Sequence, residues 1–295
     1  MKKLIVVVVL MAVAVVVYFA VTGKQPPTPT LAAAGKVASV TGAVKVTRAD
    51  GSTVAAKVDT PVGPGDKVTT DATSRCAVEF EDGSAASLSP KSDVTVAKLD
   101  KQVTARMMNI ELKLDAGKIL MDVPQGPTRK TTAQVTAPSG TIGVRGTKFA
   151  GELDPSKSLL VAVFEGKVDV SAQGQTVSLS ADQATLVKMG SAPAKPVQML
   201  SAPGLTAPAS QAKITTQDIP VTFAQVQGAK RYLVELAKNP QFTHVVAEVY
   251  SDATTVSVPG PATVGPYYVR VSAVNDLGLQ GKLSEVRMVS YVFTR

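Results

Sequence analysis

Tryptophan is absent from this chain, and cysteine and histidine occur once each. These scarcities exclude much chemistry before any motif is read. A single cysteine, Cys76, forms no intrachain disulfide, and no Cys/His cluster offers metal ligands. A single histidine, His244, leaves no general base beside a nucleophile, and no Gly-x-Ser-x-Gly elbow is present. His244 therefore reads as an exposed or strand-edge residue. Aromatics make up only 4% of the chain, too few for the stacking platforms of oligosaccharide or single-stranded nucleic-acid clefts. A carbohydrate-anchor reading would rest on the adjacent pair Tyr267 and Tyr268.

A basic stripe is also missing. The formal charge is +8, two units of it from Lys2 and Lys3, and the remaining charge is scattered among acids. Nucleic acid is not an expected partner on that pattern. The neighbouring carboxylates Glu79, Glu81 and Asp82 fall on strand and turn positions, where solvation accounts for them. The expectation is a non-enzyme: no catalytic residue, no cofactor-binding residue or cofactor, and no metal site.

Short runs of alternating valine dominate what is present, and they point to β-structure. Asp50-Gly51 and Asp82-Gly83 each separate two such runs, a strong hairpin signal. Cys76 alternates with Val78 and Phe80, which places its thiol toward a core. A small unit recurs at Gly42-Ala-Val44, Gly117-Lys-Ile119 and Gly166-Lys-Val168, each a glycine turn before an alternating strand. The intervals of 75 and 49 residues are unequal, so the unit is not a regular repeat array. It fits either a β-roll whose corners return or the convergent use of one turn chemistry.

At the N-terminus, two lysines precede 19 uncharged, mostly apolar residues from Leu4 to Thr22. As a helix that run spans roughly 28 Å, close to the hydrocarbon thickness of a bilayer. Residues 1–23 are expected to be a signal anchor in a bacterial inner membrane, with a three-residue cytoplasmic end and the bulk of the chain periplasmic. Cleavage near Ala32–Ala34, giving a secreted periplasmic protein, is the rival reading. Residues 24–35 form a Pro-rich stalk, 36–188 a β domain, 189–213 a Pro/Ala linker, and 214–295 a second β domain with sandwich-like strand spacing.

The stretch 138–149, PSGTIGVRGTKF, raises a phosphate-loop question. A P-loop needs Gly-x4-Gly-Lys-Ser/Thr at a strand-to-helix junction. Here five residues separate Gly140 from Gly146, Thr147 precedes Lys148, and the chain continues in a β pattern. Nucleotide binding is rejected. Gly140, Gly143 and Gly146 read as turn positions where a side chain would be strained, with Arg145 pairing to a neighbouring strand and a new strand beginning near Thr147.

Residues 36–188 resemble the FecR domain family. The resemblance is carried by GKVASVTGAVKVTR, by residues 62–96, by IELKLDAGKILMDV, by TAPSGTIGVRGTKFAGEL and by LLVAVFEGKVDVS, in that order. The motif residues are Pro138, Gly143, Val144, Arg145, Gly146, Thr147 and Phe149, followed by Glu165-Gly166-Lys167-Val168. With Gly140, these are expected to be structural rather than ligand-binding. Residues 226–242 and 265–285 resemble a fibronectin type III-like sandwich, with Phe223 where that fold has an early tryptophan. The resemblance implies an all-β chain, a FecR-type β-solenoid or β-roll followed by a β-sandwich. Family members classically relay a transport signal to a cytoplasmic sigma factor. The expected function is non-catalytic binding or scaffolding of an envelope or periplasmic protein, or of a cell-wall polymer. The alternative is a transmembrane signalling regulator acting through another subunit.

Overall fold

The structure, a computed structural model, describes residues 30–102, 107–124, 130–144 and 146–293. Those residues are all-β. The apolar run 4–22 and Arg145 lie outside them, and no helix of the described residues is long and apolar enough to cross a membrane.

The chain enters through β1 (Thr30–Ala32), β2 (Gly35–Thr41), β3 (Val44–Thr47), β4 (Thr53–Ala55), β5 (Pro61–Val62) and β6 (Lys67–Thr70). It continues through β7 (Arg75–Phe80), β8 (Ala85–Leu88), β9 (Asp93–Gln102), β10 (Met107–Ala116), β11 (Lys118–Asp122) and β12 (Lys130–Ala137). Then follow β13 (Gly140–Val144), β14 (Lys148–Leu153), β15 (Leu159–Glu165), β16 (Lys167–Ala172), β17 (Gln175–Ser180), β18 (Gln183–Val187) and β19 (Val197–Gln198). The last part supplies β20 (Leu205–Ala207), β21 (Ala212–Ile214), β22 (Ile219–Phe223), β23 (Arg231–Ala237) and β24 (Val245–Ser251). It ends with β25 (Thr255–Val258), β26 (Gly265–Val274), β27 (Gln280–Leu283) and β28 (Arg287–Tyr291).

Strands β1 to β19 make two facing sheets, ordered β17-β16-β13-β12-β10-β9-β6-β3-β4 and β19-β18-β15-β14-β11-β8-β7-β2-β5, with β1 added beside β9. Apart from a local swap at one end, both orders advance with the sequence. The chain therefore crosses back and forth between the sheets while moving steadily along them, and we call this unit the roll. Alternation explains it locally: Ile110, Leu112 and Leu114 of β10 are fully or almost fully buried while Glu111 and Lys113 face outward. Cys76, Val78 and Phe80 lie in the shared core, and burial pushes the Cys76 thiol up to about 12.

Asp50-Gly51 and Asp82-Gly83 turn the β3–β4 and β7–β8 hairpins, as their sequence suggests. The recurring glycines do something different. Gly42, Gly117 and Gly166 all have positive φ, and each sits where the chain leaves one sheet for the other. Each backs onto a hydroxyl residue: a Cβ would lie 2.3 Å from the Ser74 hydroxyl at Gly42, 2.3 Å from that of Ser92 at Gly117, and 2.5 Å from the Thr147 methyl at Gly166. Ser74 accepts the Ala43 N–H at 2.6 Å, and Ser92 accepts the Lys118 N–H at 3.0 Å. The three share one corner geometry.

Within 138–149, Pro138-Ser139 is the two-residue connection between β12 and β13, and Gly146-Thr147 belongs to the crossover into β14. The expectation for two of the glycines is corrected. Gly140 and Gly143 are strand residues of β13 with no positive φ, and a Cβ on Gly143 would have only the Asp169 carbonyl nearby, at 3.9 Å. Gly146, with φ +63°, is the residue that needs glycine's freedom.

Strands β20 to β28 form a sandwich of a three-stranded and a six-stranded sheet around one core. Phe223 packs in that core, its ring 4.7 Å from Tyr232. Tyr267 is also in the core, its hydroxyl donating to the Thr263 carbonyl, so the Tyr267–Tyr268 pair is no stacking platform. The stretch 189–213 does not hang free between the two units: β19 extends a sheet of the roll, while β20 and β21 join the two sheets of the sandwich.

Candidate functional site

Four strands lack the usual alternation because both of their faces are covered. Strands β11 (KILMD), β15 (LLVAVFE), β23 (RYLVELA) and β26 (GPYYVRVSAV) are buried at most positions. One face of each lines its own core, and the other lies in a seam where the sandwich packs against the roll. That is the sequence signature of a strand buried on both sides. An apolar part of the seam joins Leu160, Ala162 and Ala184 of the roll to Met199 and to Leu279 of the sandwich.

The rest of the seam is charged. Glu235 on β23 and Arg270 on β26 are buried and paired by two hydrogen bonds, 2.7 and 2.8 Å. The Arg270 guanidinium also stacks 4.0 Å above the ring of Phe242, which is fully buried in the β23–β24 loop. Burial alone would raise the Glu235 carboxyl; the facing Arg270, with Lys118 and Lys148 of the roll, outweighs it and holds the group below the ordinary glutamate range.

From the roll, Lys118 reaches into the same region and donates to the Gln280 side-chain oxygen at 3.0 Å, while Gln280 donates to Ser272 at 2.9 Å. Burial by itself would lower the Lys118 pKa. Tyr250, Glu152, Glu248 and Glu235 together overcome that and raise it. Arg75 pairs with Glu248 at 3.2 Å, and Ser89 donates to the same carboxylate at 2.9 Å. The roll thus brings Arg75, Lys118 and Glu152, and the sandwich brings Glu235, Glu248 and Arg270. One side carries an excess positive charge and the other an excess negative charge, so the charges cancel only when the two units meet. A cavity of about 20 Å³ among these groups has room for one water.

The β23–β24 loop closes the seam at one end. Ser87 donates to the Thr243 carbonyl at 2.9 Å and Lys148 to the Gln241 carbonyl at 2.8 Å, on either side of Phe242. A groove of about 500 Å³ beside this loop is lined by Ala77, Glu79, Asp122, Asn239 and His244. His244 is half-buried there rather than fully exposed, and burial is the leading cause of its lowered pKa, with Lys238 adding to it and Glu79 opposing. A second groove, about 720 Å³, opens on the β24 side of the seam. Among the described residues no group of three His, Cys, Asp or Glu converges to hold a metal.

Sequence reasoning did not locate this seam. It singled out Pro138, Gly140, Gly143, Arg145, Gly146, Thr147 and Gly166. The described ones lie in the roll on β13, at its two ends or at the crossover into β16, and none of them is among the seam's charged groups. The apolar run of β15, and the apolar residues on both alternating registers of β23 and β26, were the signal that could have found it.

Comparison with known families identifies part of the roll. Residues 66–169, from β6 into β16, match the family FecR protein. This chain carries a FecR domain. The matched residues include the crossover corners at Gly117, Gly146 and Gly166, each at a change of sheet. Comparison with curated proteins yields no match. Among solved structures, the chain resembles a candidate anti-sigma factor from Parabacteroides distasonis, at 14% identity over 45% of this chain and 59% of that one, TM-score 0.36. It also resembles the extracellular domain of a candidate hybrid two-component system from B. thetaiotaomicron, at 8% identity over 76% of this chain and 36% of that one, TM-score 0.21. The chain thus spans about three-fifths or less of the length of these proteins.

Proposed function

We propose that this protein is a regulatory component of bacterial envelope signalling, in which the FecR domain and the sandwich act together as an exported sensory block. The FecR match over residues 66–169 carries this reading. It supports regulation over the pure scaffolding expected from the sequence, because the family resemblance is to proteins that relay signals. In this reading the apolar run 4–22 anchors the chain in the inner membrane, residues 36–295 lie in the periplasm, and the sandwich is a fibronectin type III-like module. The signal passes to a sigma factor or transporter through another protein subunit.

The seam supports the two units working as one block. Charges that cancel only on docking make the docked arrangement specific. A signal received by the sandwich then reaches the FecR domain by moving or opening a defined joint.

The test combines deletion of the gene with site-specific crosslinking from exposed positions of both units. Altered transcription of a defined gene set, with recovery of a membrane-bound regulator, is the expected result. Unchanged transcription with recovery of cell-wall polymer alone would overturn the regulatory reading in favour of scaffolding.

A further inference from the structure

We propose that the outer edge of β24 is a docking site for an extended, acidic strand of a partner protein, which adds to the six-stranded sheet of the sandwich. This rests on the reading above, in which the chain works through a protein partner, and it names where and how the partner binds.

Strand β24 is the last strand of its sheet and pairs on one side only, with β23. Most sheet ends in this molecule are blunted by short strands: three residues in β4, two in β5, two in β19 and three in β20. Such brevity is a standard defence against unwanted pairing. Strand β24 has seven residues, VVAEVYS, the longest at any sheet end among the described residues, with no proline and no lysine. Its one charge, Glu248, is turned to the roll and neutralised by Arg75.

A groove runs beside this strand. Val246, Ala247 and Glu248 form part of it, opposite Thr41, Thr73 and Pro261, and its volume is about 720 Å³. An extended segment of several residues fits a space of that size, and main-chain hydrogen bonds to the free edge would hold it.

Charge selects the occupant. Exposed Lys238 lines the groove beyond the Val245 end of β24, and exposed Arg231 stacks 4.4 Å from the Tyr250 ring near the other end. An acidic strand meets a cation at both ends. A second copy of this chain joined antiparallel along β24 would bring Lys238 of one copy to Arg231 of the other, and repulsion disfavours it.

The experiment uses the full chain in detergent and a synthetic peptide of about eight residues alternating valine and glutamate. Hydrogen exchange at 245–251 should slow on addition of this peptide. Methylation of alternate peptide amides should abolish the effect, and a valine–lysine peptide should bind more weakly. The variant carrying Lys238→Glu and Arg231→Glu should lose about tenfold in affinity, the scale of two exposed ion pairs. Unslowed exchange, equal binding of the methylated peptide, equal binding of the lysine peptide, or self-association of the chain through β24 would each overturn the proposal. Strand binding without any transcriptional effect on deletion would leave this site standing and overturn the regulatory reading. Transcriptional control without strand binding would do the reverse.

Discussion

The Lys118 ammonium of the FecR domain and the Gln280 side chain of the sandwich meet at 3.0 Å, with Lys118 only 8% exposed. This contact ties a buried charge of one unit to a polar group of the other. Neither partner could be buried so fully if the two units separated.

Lys118→Ala removes the cation and leaves Gln280 and the nearby carboxylates without it. Loss of one member of a buried charge set costs about 2 to 4 kcal/mol. Calorimetry should show the sandwich and the FecR domain unfolding in separate transitions, and proteolysis should begin within 189–213. A single unchanged transition would show that the two units stay coupled without Lys118 and that this lysine is not what joins them.

The glycines of the family signature are not equivalent. Gly166 has φ +80°, and a Cβ there would sit 2.5 Å from the Thr147 methyl and 2.6 Å from the Gly146 carbonyl oxygen. Gly166→Ala is expected to cost about 2 kcal/mol or more, because the strained backbone and the backbone contact add. Gly143→Ala, on an extended strand with open space, should stay within about 0.5 kcal/mol of the parent. Urea denaturation of both variants checks the contrast.

Thr147 carries a buried hydroxyl with no hydrogen-bond partner among the described residues, whereas the matching hydroxyls of Ser74 and Ser92 accept backbone N–H groups. Thr147→Val removes an unsatisfied polar atom at nearly constant shape. It should leave stability unchanged or raise it by up to about 1 kcal/mol, read as the midpoint of denaturation. A large loss would reveal a partner for that hydroxyl.

His244 gives the seam a pH response of defined sign. Burial lowers its pKa below the ordinary histidine value, so it favours the folded state at pH above that value. This contribution fades as pH falls through the lowered pKa, because the proton then binds the unfolded chain better. Between about pH 6.5 and pH 5 the melting temperature should fall in the parent and fall less in His244→Gln. As the one histidine of the chain, its ring resonances report the titration directly by NMR. A titration at or above the ordinary value would sink the prediction.

The FecR resemblance and the hairpins at Asp50-Gly51 and Asp82-Gly83 were legible because each depends on neighbours in the chain. The inward facing of Cys76, Val78 and Phe80 was legible for the same reason, since period-two alternation assigns a residue to a face. The roles of Gly140 and Gly143 were not, because a glycine in a strand and a glycine in a turn look alike without the backbone dihedral. Nor was Lys118, which follows a turn glycine just as the exposed Lys167 does. What separates the two lysines is only which strand the sandwich comes to cover.

The sequence by itself determined that the described residues are all-β, where many of their strands turn, and which faces of the FecR domain point inward. These follow from local sterics and from alternating polarity, which act over a few residues. The tertiary structure alone decided that β11, β15, β23 and β26 bury a second face in a shared seam, that three positive and three negative groups cancel there, and that β24 keeps a free edge. Those outcomes come from contacts between residues more than a hundred positions apart, such as Arg75 with Glu248 and Lys118 with Gln280. Which surface meets which is set by the summed complementarity of two folded units, and no local pattern encodes it.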